Sequence, residues 1–327
     1  MLGFVVGGIG LCSDTDLKCS LRKSKKIVSG KARKSNLVCL SSSTATHAQH
    51  HESSSSELSS RLTKKSANHT SASSTTPRRA GFVGALFLLS TFLWAAPIFT
   101  LMLLAHPFVL LFDYKRRRFH DMLCLLWANL TMACSFCIPR IIGKENIPEP
   151  GQVVIYAANH QSYADIFSFA ALRRATKFVS KSEILKIPTI GWAIALGKHV
   201  ALRRGDRRGQ VMAYREMIQS IKDGNSLAIF PEGTRSKTGR MKRFHSGAFK
   251  ASVTTGAPVV PITIVGTREL MPPDSYIPVA YPKNGISVIV HPQVDPTGKT
   301  DEEMSALVFQ AIESGLPEEF RTTSEVL

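Results

Sequence analysis

A histidine followed five residues later by an acid, and an arginine set just past a glycine turn, are the residues of this chain best suited to chemistry. The first pair, His160 and Asp165, lies in Asn159-His160-Gln161-Ser162-Tyr163-Ala164-Asp165. An imidazole held by a carboxylate keeps one nitrogen free to accept a proton, which is the requirement for a general base. The second group lies in Phe230-Pro231-Glu232-Gly233-Thr234-Arg235, directly after an apolar run. Gly233 would let backbone approach a ligand, and the Arg235 fork could hold a phosphate. Glu232 could fix that arginine or bind a substrate hydroxyl. Both segments also have plainer readings. Ser162-x-x-Asp165 matches a helix capping box, and the glycine turn could be a surface turn with an ordinary ion pair.

The His160–Asp165 spacing constrains the elements around it. Five residues of one regular helix turn through about 140°, which would point the two side chains apart. They meet if His160 sits in a turn after a strand over Val153–Ala158 and the helix begins near Ser162, with Asp165 in its first turn. From Ile141 onward, short apolar runs alternate with amphipathic ones. Strands are expected at Lys177–Ser180, His199–Arg203, Ser226–Phe230, Val259–Val265 and Ile286–His291. Helical spacing runs over Arg207–Lys222, and Thr300-x-x-Glu303 opens a terminal helix as a capping box. This alternation predicts an α/β fold, a mixed sheet flanked by helices.

Ahead of that domain the chain changes character. Gly81–Phe112 carries no Asp, Glu, Lys or Arg and is longer than the roughly 20 residues that cross a bilayer, although Pro97 and Pro107 should kink or divide it. His120–Pro139 is a second, less apolar run. The two read as an N-terminal membrane-associated helical hairpin: the first spanning or deeply embedded, the second lying in the interface, with the Lys115–Arg118 cluster kept on the synthesis side. Residues 1–80 are rich in Ser, Thr, Lys and Arg, with only Asp14, Asp16, Glu52 and Glu57 as acids, and read as a transit-peptide-like leader. The division expected is therefore 1–80 leader, 81–140 membrane helices and 141–327 catalytic domain.

The formal net charge is +17, of which the leader holds +9. The remaining +8 suits anionic lipid, phosphate substrates or an acidic carrier protein. Lys242, Arg243 and Lys250 could form a basic rim for such partners, or be solvated charges on a helix face. No groove-reading motif points to nucleic acid. Of the six cysteines, Cys134 and Cys137 form a lone C-x-x-C inside an apolar stretch, better suited to packing than to redox work. No His/Cys cluster or Asp-rich pair calls for a metal, and no cofactor is implied.

Together the motifs resemble the lysophosphatidate (1-acylglycerol-3-phosphate) acyltransferase family. Asn159-His160-x4-Asp165 is similar to its first motif and Phe230–Ser236 to its third. Gly191-Trp192 with His199–Arg204 resembles the second, and Val260-Pro261-Ile262-Thr263 the fourth. The likeness covers about residues 105–295 and is strongest to the plant plastid type, through His106–Asp113. Ala201 and Arg203 depart from the usual second motif.

The resemblance implies a glycerolipid acyltransferase-like fold and a plastid membrane location. It implies His160 as the base on the 2-hydroxyl of 1-acylglycerol 3-phosphate (lysophosphatidate), oriented by Asp165. Arg204, Glu232, Gly233, Thr234 and Arg235 would hold the glycerol phosphate, with acyl-ACP or acyl-CoA as donor and phosphatidate as product. No Gly-x-Ser-x-Gly elbow supplies a nucleophile, in keeping with direct transfer from an activated thioester. Rival readings are a related acyltransferase for another lysophospholipid or glycerol phosphate acceptor, a lipase-like hydrolase, and a non-catalytic membrane module.

Overall fold

The computed structural model describes residues 77–187, 189–203 and 206–321, so the leader expected over 1–80 lies almost wholly outside the described residues. Five strands run parallel at the heart of the domain: β2 (Ile155–Ala158), β3 (Thr176–Lys181), β4 (Val200–Leu202), β5 (Ser226–Ile229) and β6 (Val259–Val265). An antiparallel β7 (Ser287–Val290) and a short β1 (Arg140–Ile142) complete a seven-stranded sheet in the order β1-β7-β6-β2-β5-β3-β4. The expected mixed sheet flanked by helices is present. β6 falls on Val259–Val265 as read, the other expected strands lie within two residues of their runs, and the three-residue edge strand β1 was not anticipated.

The parallel strands read as apolar runs because both of their faces are covered. Ile155, Ala157, Leu227, Ile229 and Val259 pack on one face. Against them lie α5 (Arg207–Lys222), α6 (Gly247–Thr255) and α8 (Asp301–Ser314) through Met217, Phe249, Met304 and Val308. Val154, Tyr156, Ala158, Ala228, Val260 and Ile262 face the other way, toward Phe169 and Leu172 after α3 (Ala164–Phe169). Thr300 and Glu303 form both halves of the expected capping box on α8.

α1 (Pro77–Phe112) is one continuous helix of 36 residues; of the two outcomes the prolines allowed, a kink or a division, Pro97 and Pro107 do not divide it. Its neighbours supply packing where the two missing N–H bonds would otherwise break the rod. Residues Gly81–Phe112 are the one segment, among the described residues, long and apolar enough to cross a membrane. Val83, Phe87, Ser90, Ile98, Met102 and Val109 form a buried stripe down its length, while Phe92, Leu104, Phe108 and Leu111 face outward. α2 (Arg118–Cys134) returns beside it, burying Leu123, Ala128 and Met132 and exposing Phe119, Met122 and Leu126. The first third of α1 packs on Ala164, Leu270, Met271 and Ile286. Its middle packs on α2 and toward α4 (Ile190–Leu196).

A buried ion pair joins the hairpin to the sheet. Lys177 of β3 donates to both oxygens of Asp121 on α2, at 2.7 and 2.6 Å, and to the Gly197 carbonyl at 2.7 Å. Burial pushes the Asp121 carboxyl up to about 7 and pushes Lys177 down, each against the pull of its partner.

Candidate active site

Parallel strands place all their C-terminal ends along one edge, and ligands in open α/β sheets bind in the crevice outside that edge. The turns after β2, β5 and β6 meet there. Asn159 fixes the first turn: its amide donates to the Ile264 carbonyl (2.9 Å) and accepts from the Ile264 N–H (2.7 Å), extending the β2–β6 pairing by one side chain. His160 follows, its backbone N–H donating to Glu232 Oε1 at 2.8 Å, and the helix starts at Ala164. Asp165 therefore sits in the first turn, as the spacing required.

His160 Nδ1 lies 2.8 Å from Asp165 Oδ2, with Asp165 fully buried and the His160 side chain 15% exposed. The same Oδ2 accepts from the backbone N–H groups of Gln161 (2.7 Å) and Ser162 (2.8 Å), and Oδ1 accepts from Thr267 Oγ1 at 2.6 Å. The carboxylate is thus fixed by two main-chain donors and one hydroxyl before the imidazole is counted. One oxygen thus serves the Ser162 N–H, which is the acid's half of the expected capping box, and the imidazole, while the Ser162 hydroxyl does not complete the box. Ser162 uses its own hydroxyl locally, accepting from the Ala164 N–H at 3.0 Å and donating to the Met271 carbonyl at 2.7 Å. The His160 ring stacks on Phe230, centroids 4.1 Å apart and planes 19° apart. The orienting carboxylate, the stacked ring and the backbone bond leave Nε2 as the nitrogen free for chemistry.

The β5 turn sits directly against this pair. The Ser236 N–H donates to the His160 carbonyl at 2.7 Å, and Glu232 accepts from the N–H groups of His160 and Lys242 (3.1 Å) on its two oxygens. Glu232 is buried, and burial raises its carboxyl to about 7. With both oxygens on main-chain donors, it ties the loop after β2 to both ends of the loop after β5. Gly233 adopts φ 68°, and a Cβ there would lie 2.9 Å from His245 Cδ2, so the turn requires glycine on both counts. Thr234 is exposed beside it. The Arg235 guanidinium lies 3.7 Å from the Tyr163 ring centroid, and its Nη1 donates to the Pro273 carbonyl at 2.5 Å. One face and one edge are fixed, and the remaining N–H groups are available to an anion.

The chain is similar to known proteins. A family model described as Acyltransferase matches residues 139–265. A chloroplastic 1-acyl-sn-glycerol-3-phosphate acyltransferase of Brassica napus is 43% identical over 192 residues, 59% of this chain and 56% of the relative. A 1-acyl-sn-glycerol-3-phosphate acyltransferase of Chlamydomonas reinhardtii is 38% identical over 72% of this chain and 69% of its own length. The chain belongs to the 1-acyl-sn-glycerol-3-phosphate acyltransferase family. It spans only a little over half the length of the Brassica relative. The crystal structure of the 1-acyl-sn-glycerophosphate acyltransferase PlsC from Thermotoga maritima is 28% identical, with a TM-score of 0.60 over 72% of this chain and 95% of that one.

Within this acyltransferase-family chain the structure brings His160, Asp165, Glu232, Gly233 and Arg235 together. Arg204 lies outside the described residues; β4 ends at Leu202, on the same edge of the sheet. Sequence reasoning missed Thr267, which clasps Asp165 from 102 residues away, and the Tyr163 platform under Arg235. It also missed Arg268, whose Nη1 reaches the Ser236 carbonyl at 3.4 Å. Spacing within one motif could not reveal these, because each partner comes from the turn after a different strand. Lys242 and Arg243 are exposed on the rim, and Lys242 Nζ reaches the Arg235 carbonyl at 3.3 Å. Cys134 and Cys137 are free thiols, Cys137 buried in the packing beside Met132.

Proposed function

We propose that this chain transfers a fatty acyl group from an acyl thioester to the sn-2 hydroxyl of 1-acylglycerol 3-phosphate, forming phosphatidate. The observation that carries this reading is the His160–Asp165 pair bonded at 2.8 Å, one turn from an arginine fixed with donors to spare. His160 Nε2 takes the proton from the 2-hydroxyl as its oxygen attacks the thioester carbon. The C–S bond breaks and the thiol leaves with that proton, so no acyl-enzyme forms. Asp165 holds the ring and balances the imidazolium. Arg235 grips the phosphate beside the open Gly233 backbone, with Arg204 as a second grip. Glu232 keeps the loops at their spacing.

The names of the plant relatives support a plastid location and a lysophosphatidate acceptor. Acyl carrier protein is the donor favoured here, as the sequence resemblance to the plastid type implies. The division into a leader over 1–80, helices over 81–140 and a catalytic domain over 141–327 belongs to the same proposal. The buried stripe along α1 bears on membrane attachment. At 36 residues the helix is about 54 Å long, against a hydrocarbon core of about 30 Å. Because the protein packs on it from Val83 to Val109, a perpendicular crossing would pull the domain into lipid. A helix lying along the domain with its outer face in the bilayer fits better, and it delivers a lipid acceptor without removing it from the membrane.

The test is transfer by the purified full chain, with lysophosphatidate, other lysophospholipids and glycerol 3-phosphate as acceptors and carrier-linked or CoA-linked acyl donors. Phosphatidate formation, abolished by His160→Ala in a folded protein, is the expected result. Equal rates with acceptors lacking the phosphate monoester would overturn the acceptor assignment. Fatty acid release to water without transfer would overturn the reaction.

A further inference from the structure

The hairpin tip lies at the opposite edge of the sheet from His160. Arg116 Nε donates at 2.9 Å to the Asp223 carbonyl, just before β5 begins. Arg117 Nη1 donates to the Leu196 and Ala195 carbonyls at 2.9 and 3.4 Å, at the end of α4 and just before β4. The tip is rigid. Asp113 accepts from the N–H groups of Arg116 (3.3 Å) and Arg118 (2.9 Å), and Arg117 is held at φ 52°, a left-handed conformation uncommon outside glycine.

Beside Arg117, between α1 and α4, a groove of about 450 Å³ is lined by Phe99, Leu103, His106, Arg117, Trp192 and Leu196. Phe99 and Trp192 meet with ring centroids 5.8 Å apart, and Trp192 and Leu103 are half exposed. Cations gather at one end of it. Lys198 Nζ lies 5.1 Å and the Arg117 guanidinium 5.8 Å from the Tyr114 ring, and Lys115 is exposed in the same turn. None of Lys115, Arg117 and Lys198 has an ion-pair partner among the described residues. Arg117 Nε is buried and makes no hydrogen bond there.

We propose that this groove is a second lipid site, seating one anionic phospholipid of the bilayer. Its phosphate lies on Arg117 with Lys198 and Lys115, and one acyl chain runs along Phe99, Leu103, Trp192 and Leu196. A free phosphate has no use for four apolar walls, and a neutral lipid has none for three unpaired cations. The walls continue into the outward face of α1, through Leu104 and Phe108, where a lipid chain would already lie. A polybasic turn next to a membrane-lying helix gains about 1 kcal/mol per Lys or Arg from anionic lipid, and Trp suits the interfacial level. The acceptor is bound at the other edge of the sheet, so the two sites do not compete. The inference needs the hairpin to touch a bilayer but does not depend on which acyl acceptor is used.

The test uses the full chain in phosphatidylcholine vesicles containing brominated-chain lipid, either anionic phosphatidylglycerol or neutral phosphatidylcholine. The Trp192 signal is taken as the difference from Trp192→Phe. Half-maximal quenching is expected at about fivefold less anionic than neutral brominated lipid. Arg117→Gln and, separately, the exposed Lys198→Gln should reduce that preference, while the rate of acyl transfer in detergent stays unchanged. If Arg117→Gln fails to fold, the wild-type comparison and Lys198→Gln still decide. Equal quenching by the two lipids in the wild type overturns the site, as does a preference that survives both substitutions. Loss of the preference on adding soluble glycerol 3-phosphate overturns it too, by showing a site for free phosphate.

Discussion

Replacing Asp165 by Asn isolates what its charge does, because the structure dictates how the amide must lie. Oδ2 accepts from two backbone N–H groups and from His160, whereas Oδ1 meets only the Thr267 hydroxyl. An Asn with its oxygen in the Oδ2 position keeps all three N–H bonds, and its NH2 can donate to Thr267 Oγ1. The flipped amide would point N–H at two main-chain N–H groups, each costing about 1–3 kcal/mol. The oxygen therefore stays toward His160, and the ring keeps both its tautomer and its position. What is lost is the attraction between carboxylate and imidazolium. Unit charges 4 Å apart at an effective dielectric near 20 interact by about 4 kcal/mol, and the retained neutral hydrogen bond brings the net loss nearer 3. We expect kcat to fall about 10²- to 10³-fold, with KM for the acceptor and the melting temperature little changed. Had the tautomer been lost as well, the fall would approach 10⁴-fold, as when a triad acid is made an amide. Steady-state kinetics beside His160→Ala decide the matter. A folded Asp165→Asn protein at wild-type kcat would show that no imidazolium forms, and one as slow as His160→Ala would show that the backbone donors do not lock the amide.

Further outcomes follow from neighbouring contacts. Tyr163→Leu removes the platform under Arg235 and should raise KM for lysophosphatidate about 2- to 30-fold at nearly constant kcat, while Tyr163→Phe retains wild-type kinetics. Arg235→Lys should likewise act on KM, since an ammonium cannot both reach the Pro273 carbonyl and fork onto a phosphate. Glu232 has a folded pKa of about 7, above its ordinary value of 4.5, so the folded state holds the extra proton and stability falls as pH rises from about 4.5 to 7. Denaturant titrations should find that Glu232→Gln gains on the wild type by about 2.5 kcal/mol between pH 5 and pH 8; a constant difference would refute the buried-acid account. Lys177→Met strands the Asp121 charge and should cost about 3–5 kcal/mol, whereas Lys177→Met with Asp121→Leu should recover most of it.

The parallel strands were legible because burial on both faces writes an uninterrupted apolar run, and β6 was bounded to the residue by that rule. The contact of His160 with Asp165 was legible once a strand, a turn and a helix start were read consecutively around them, although the same spacing also allowed a plain capping box. Thr267, Tyr163 and Pro273 were not. Thr267 reaches Asp165 only because β6 pairs with β2, a long-range fact that no local pattern contains. Glu232 was visible as an acid beside the glycine turn, but its task depended on which backbone donors lie opposite, and these come from His160 and Lys242 on two different loops. The prolines of α1 left the sequence open between a kinked and a divided helix, and the helix is continuous, with packing along its buried stripe.

The Lys177–Asp121 pair is the least legible contact and the one that ties the α1–α2 hairpin to the sheet. Neither residue lies in a motif, and burying a charge at 1% or 3% exposure carries a desolvation cost that one ion pair seldom repays. Apolar packing is non-directional, so by itself it holds α2 against small shifts less strictly than a directional contact does. A buried charge tolerates no such shift: Lys177 must meet both Asp121 oxygens and the Gly197 carbonyl at once, at 2.6–2.7 Å. Gly197 leads into β4, and β4 ends beside Arg203, on the edge where Arg235 waits. The pair therefore fixes the height of α1 and α2 against the same strands that carry the site, at the expense of stability that the paired substitution above would restore.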